Sequence, residues 1–168
     1  GQEQFYALHL LVLSRLAVYA VCFDMTRLCS TADPEDKRKC LLFLRFWMQS
    51  VWASTSTVEE GGDGGAPIVL VGTHKDKMPS LEEHEEISAL LFEEFRDSPA
   101  FASVQQYSDQ DASADKRLSL WFFPVDNVQG LKDRVVRAAM VQIQECVEQG
   151  EYVKCKVAFT WLAVLDAL

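Results

Sequence analysis

The sequence predicts an α/β fold, doubly wound around a mainly parallel sheet. Two observations carry that expectation. Three short, nearly continuous apolar runs, Ala17 to Asp24, Ile68 to Thr73 and Leu118 to Pro124, are rich in Val, Ile, Phe and Trp, as strands covered on both faces are. Amphipathic helical patterns lie between and after them, and that alternation implies a layered α/β domain with right-handed crossovers.

The first helix is expected over Pro34 to Ser54, with Asp33 as N-cap and Pro34 at the first helical position, where a missing N–H costs nothing. A second opens at Ser80-Leu81-Glu82-Glu83, a capping-box spacing, and carries Ile87, Leu90, Leu91 and Phe95 on one stripe. A third follows Gly130, with Leu131, Val135, Ala138, Ala139, Ile143, Cys146 and Val147 at helical spacing. Ser54 to Pro67 and Gln105 to Arg117 are polar and read as loops. Lys154 to Leu168 regains amphipathic character, as if a new element begins there.

With 168 residues and 49% apolar composition the chain suits one domain with a sizeable core. Its formal charge of −9 opposes contact with a phosphate backbone, so nucleic acid is not an expected partner. The five cysteines, Cys22, Cys29, Cys40, Cys146 and Cys155, contain no CxxC and lie in apolar surroundings. They read as reduced, buried thiols, with no metal site. Apolar stretches fall short of the roughly 18 to 20 residues of a membrane span, and a cytoplasmic location is expected. Gly1 to Tyr6 reads as the middle of a longer protein.

Ligands of open α/β sheets sit beyond the carboxyl ends of the strands. Val71-Gly72-Thr73-His74-Lys75-Asp76 follows the second run, Phe122-Phe123-Pro124-Val125-Asp126-Asn127 ends the third, and Gly1-Gln2-Glu3 opens the chain. The opening resembles the end of the DxxGQE motif of small GTPases. Thr73-His74-Lys75-Asp76 resembles the Roc version of the NKxD guanine motif, and Val125-Asp126-Asn127 occupies the place of the SAK motif. Trp161-Leu162 with Leu165 and Leu168 looks like the opening of a COR domain, which follows Roc in the Roco family.

The resemblance implies a partial Ras-like P-loop NTPase fold whose N-terminal strands and P-loop lie outside the chain. Residues 1–150 would be the C-terminal part of a Roc GTPase domain and 151–168 the start of COR. GTP or GDP would be bound by Gly1, Thr73, His74, Asp76, Val125, Asp126 and Asn127. Asp76 would accept from guanine N1–H and the 2-amino group, while the backbone N–H groups of Asp126 and Asn127 would lie near O6. Gln2 would be the catalytic residue that orients water against the γ-phosphate. Thr73 could tie neighbouring loops, and His74 could stack on the base. His9 and His84 read as surface or satisfied core histidines.

No GxxxxGK[ST] occurs in the sequence, and Gly61, Gly62, Gly64 and Gly65 lack a following Lys-Ser/Thr. The ligands of Mg²⁺ would therefore lie upstream. The intact parent would hydrolyse GTP as an intracellular switch, pairing with its COR domain and forming a homodimer, while the 168-residue piece alone would be inactive. A nucleotide-free Roc-like scaffold and an unrelated flavodoxin-like binder are the competing readings.

Overall fold

The computed structural model describes residues 13–56, 65–109 and 118–150. Gly1, Gln2, His9, Cys155 and the COR-like segment 151–168 lie outside them. The described chain is mixed α/β, with a three-stranded parallel sheet, a two-stranded antiparallel ribbon and three α-helices.

Strand β1 (Tyr19–Asp24) pairs in parallel with β2 along its whole length, from Tyr19 opposite Ile68 to Asp24 opposite Thr73. Strand β2 (Ile68–Thr73) is central: Ile68, Val69 and Leu70 are all fully buried, so both faces are covered. That is why this run carries no polar alternation. Helix α1 (Pro34–Thr55) starts as expected, with the Asp33 carboxylate accepting from the N–H groups of Glu35 and Asp36 at 2.9 and 3.2 Å. Its buried residues Cys40, Leu44, Met48, Val51 and Thr55 recur at three- and four-residue steps, placing one stripe against the core. At its end the Thr55 hydroxyl donates to Val51 O and accepts from Ala66 N–H, which pins the returning chain. Residues 57–64 of the intervening glycine-rich stretch lie outside the described residues.

Helix α2 (Leu81–Phe95) buries His84, Ile87, Ser88, Leu91 and Phe95. The expected capping box does not form. Ser80 makes no side-chain bond to the helix backbone, and its hydroxyl donates to Glu82 Oε2 at 2.6 Å instead. His84 is the satisfied core histidine: 3% exposed, it donates from Nε2 to Met78 O at 2.8 Å. Burial lowers its pKa. An Arg45–Glu94 ion pair links α1 to α2.

The run Leu118 to Pro124 is not one strand. Strand β3 (Tyr107–Asp109), within a stretch expected to be loop, pairs antiparallel with β4 (Leu118–Leu120). After Leu120 the ladder stops. Trp121 N–H donates to Ser88 Oγ on α2 at 2.9 Å, and its indole stacks on Phe92 with centroids 5.7 Å apart. Strand β5 (Phe123–Pro124) then joins the main sheet beside β2, giving the order β1-β2-β5. A proline is tolerable in this two-residue outer strand.

Helix α3 (Arg134–Gln149) begins later than the sequence suggested. Gly130 at φ 52° turns the chain, a short 3₁₀ turn follows, and Asp133 caps the helix. Leu131 is consequently 64% exposed rather than core. Of the described cysteines, Cys40 and Cys146 are buried but Cys22 is exposed, so the expectation of buried thiols fails at Cys22. Among the described residues no helix is long and apolar enough to cross a membrane.

Gly72 has a packing reason to be glycine. A Cβ there would lie 2.5 Å from Met25 Cγ and 2.7 Å from Phe122 Cδ2, and both side chains are fully buried. Gly72→Ala should therefore destabilise the fold by about 1–3 kcal/mol through overpacking, read as a lower denaturant midpoint at unchanged slope. A midpoint equal to that of the parent chain would show that the Met25–Phe122 contact yields freely.

Candidate functional site

Because β1, β2 and β5 are parallel and adjacent, their carboxyl ends open on the same edge of the sheet. Asp24, then Thr73 to Asp76, then Val125 to Asn127 leave from that edge.

Thr73 ties the first two strands, its hydroxyl donating to Phe23 O at 3.0 Å. His74 follows in the left-handed region, at φ 67° and ψ 35°, the one described non-glycine residue with positive φ. An L-residue takes up that conformation at a cost of about 1 kcal/mol. It swings the chain into a 3₁₀ turn over Lys75–Lys77, and Lys75 N–H reaches back to Val125 O at 3.3 Å. The His74 Nε2 lies 3.9 Å from Asp24 Oδ2. Asp24 also accepts at Oδ1 from the N–H and hydroxyl of Thr26. Burial alone would raise the Asp24 pKa, but the Thr26 bonds with His74 and Arg27 hold it below the ordinary value.

Val125 is buried, and its N–H donates to Gly72 O at 2.8 Å. Asp126 is 6% exposed, and its carboxylate is filled from within the chain: by Val128 N–H at 2.9 Å, Gln129 N–H at 3.2 Å and Gln129 Nε2 at 2.7 Å. Its own N–H donates to Asp133 Oδ2 at 2.7 Å. Asn127 is exposed. Asp76 differs from every carboxylate around it. It is exposed and makes no hydrogen bond or ion pair among the described residues.

Three residues that the sequence reading did not single out shape this edge: Asp24, Lys75 and Asp133. The Asp133 side chain, 5% exposed, accepts from Lys75 Nζ at 3.0 Å, from Asp126 N–H and from Val135 N–H at 3.1 Å. Burial would push its pKa up, yet these donors outweigh burial and hold it below the usual range. An Asp just before a helical apolar pattern is a visible capping signal, but the periodicity beginning at Leu131 concealed it. The partnership with Lys75 spans 58 residues and has no local signature. Among the described residues no cluster of His, Cys, Asp or Glu could hold a metal ion.

Lys75→Met would leave Asp133 with its two N–H donors but no countercharge, and should cost about 1–2 kcal/mol at neutral pH. The folded Asp133 pKa is depressed, so the stability it supplies is fully present above its unfolded value, about 3.9. That stability is lost as pH falls through the folded value. The gap between wild type and Lys75→Met should accordingly close as the solution is acidified below that point. Unfolding curves at several pH values would check it, and a gap independent of pH would mean the cost lies in packing.

Part of the chain is similar to two proteins of Dictyostelium discoideum. It is 31% identical over 80 residues, 48% of this chain, to probable serine/threonine-protein kinase roco5. It is 34% identical over 76 residues, 45% of this chain, to probable serine/threonine-protein kinase pats1. The chain spans about 2% of the length of each of these curated relatives. No protein-family model matches the chain, and no solved structure matches it. The two partial similarities are consistent with a Roco-family relationship for about half of the chain.

Proposed function

We propose that this chain carries the guanine-reading half of a Roc-type GTPase domain, with residues 1–150 the C-terminal part of Roc and 151–168 opening a COR domain. The observation that carries the reading is the Asp76 carboxylate, exposed and without a protein partner among the described residues, in a turn held at the carboxyl edge of a parallel sheet. A carboxylate only accepts hydrogen bonds, and guanine presents two adjacent donors, N1–H and the 2-amino group. Adenine offers neither in that arrangement.

The other groups fit the same ligand. The His74 side chain is 42% exposed beside the turn, open to stack on a purine face. Asp126 spends its N–H on Asp133, so the exposed Asn127 supplies the N–H for guanine O6. Thr73 ties β2 to β1 through its bond to Phe23 O, steadying the start of the turn. The phosphates and Mg²⁺ of GTP or GDP would be held by upstream sequence, and Gln2 would orient the attacking water. The intact protein would act as a GTP-hydrolysing intracellular switch, in contact with its COR domain and as a homodimer. A nucleotide-free scaffold is the second reading, favoured by Leu42 and Phe43, large apolar side chains that α1 leaves exposed.

Asp76→Asn in the intact protein turns one acceptor into a donor facing the guanine 2-amino group. Xanthine has a carbonyl there and keeps N1–H. The variant should bind GTP at least about tenfold more weakly, or about 1.4 kcal/mol, and gain relative affinity for xanthosine triphosphate. Competition binding with the two nucleotides measures it. An unchanged preference for GTP removes Asp76 from the base site, and a wild-type protein that binds neither nucleotide favours the scaffold.

A further inference from the structure

The guanine reading leaves unexplained how an exposed turn holds a carboxylate and a backbone N–H at the spacing a single base requires. The turn over Lys75–Lys77 contacts the loop after β5 through Lys75 N–H and Val125 O, a long bond of 3.3 Å. With the bond from Val125 N–H to Gly72 O at 2.8 Å it ties the strand ends together, but neither bond reaches the loop tips that carry Asp76 and Asn127.

Asp133 supplies the missing constraint. One of its oxygens takes the Lys75 ammonium, from the residue directly before Asp76; the other takes the N–H of Asp126, directly before Asn127. The carboxylate is itself fixed, because it caps α3 through Val135 N–H and is nearly buried. Two charge-assisted bonds from one buried carboxylate hold more firmly than neutral ones and have a defined direction. The helix start thus gauges the distance between the two loops.

Resting on the guanine reading, we propose that Asp133, with Lys75 as its partner, is a positioning residue that sets base specificity without touching the nucleotide: it fixes Asp76 against Asn127. Asp76 reads the 2-amino group, which inosine triphosphate lacks. The ratio of GTP to ITP affinity therefore reports the placement of Asp76, whereas general loosening of the protein weakens both nucleotides alike.

The test measures GTP and ITP affinities of the intact protein and of its Asp133→Ala, Lys75→Met and Lys75→Arg variants. Wild type should prefer GTP. Asp133→Ala and Lys75→Met should each lower the GTP:ITP ratio by about fivefold or more, and Lys75→Arg, which keeps the charge, should retain most of it. Should Asp133→Ala not fold, Lys75→Met still decides, since the lysine side chain is 30% exposed and its removal leaves the cap intact. Equal weakening of both nucleotides in the variants would make Asp133 merely structural and overturn the proposal while the guanine reading stands. A wild type that binds GTP and ITP equally would overturn the guanine reading, and the positioning role with it.

Discussion

Everything at the carboxyl edge of the sheet depends on β2 being paired in parallel on both sides. A parallel strand needs a crossover before it can pair, so β1, β2 and β5 are separated by α1 and α2, yet their ends emerge side by side. The pairing of Asp24 with Thr73 and of Gly72 with Pro124 sets which residues reach the edge together. A slip of one residue would send Thr73 to the opposite face and break its bond to Phe23 O. The two covered faces of β2 make that slip costly, because Ile68, Val69 and Leu70 would all exchange environments.

Close packing then restricts the sequence at the point where β2 ends. Met25 sits directly after β1 and Phe122 directly before β5, and both fill the space over Gly72. The neighbours of the turn after β2 are thus packed into the core immediately beneath it. Rigid support below and an exposed turn above is the arrangement a recognition site needs, because a side chain that pays its ordering cost in folding does not pay it again on binding.

Local signals were legible in the sequence, and long-range pairings were not. The start of α1 was visible because Asp33-Pro34 satisfies orphan helix donors with adjacent residues. The bounds of β2 were visible because an unbroken apolar run between loops has few alternatives. The break at Trp121 was hidden, since it depends on Ser88 and Phe92, far earlier in the chain, capturing a backbone N–H and an indole. Strand β3 was hidden for the same reason: Tyr-Ser-Asp becomes a strand only through Leu118–Leu120. At the sheet edge, Asp76 was singled out by the motif around it, whereas Asp133 and Lys75 find each other only in the fold.

The carboxylates at this edge also show why composition alone could not have separated engaged acceptors from open ones. Four aspartates gather there, and their hydrogen-bond inventories divide them. Asp126 accepts three bonds from its own turn. Asp133 accepts from two backbone N–H groups and an ammonium. Asp24 takes two bonds from Thr26 and lies within ion-pair range of Arg27 and His74. A carboxylate has about four acceptor positions, and a position already filled opens to a ligand only by breaking a charge-assisted bond worth about 1.5–3 kcal/mol, which cancels the new one. Asp76 has no such bond to lose among the described residues, so of the four it is the carboxylate whose full acceptor capacity is open to a donor from outside.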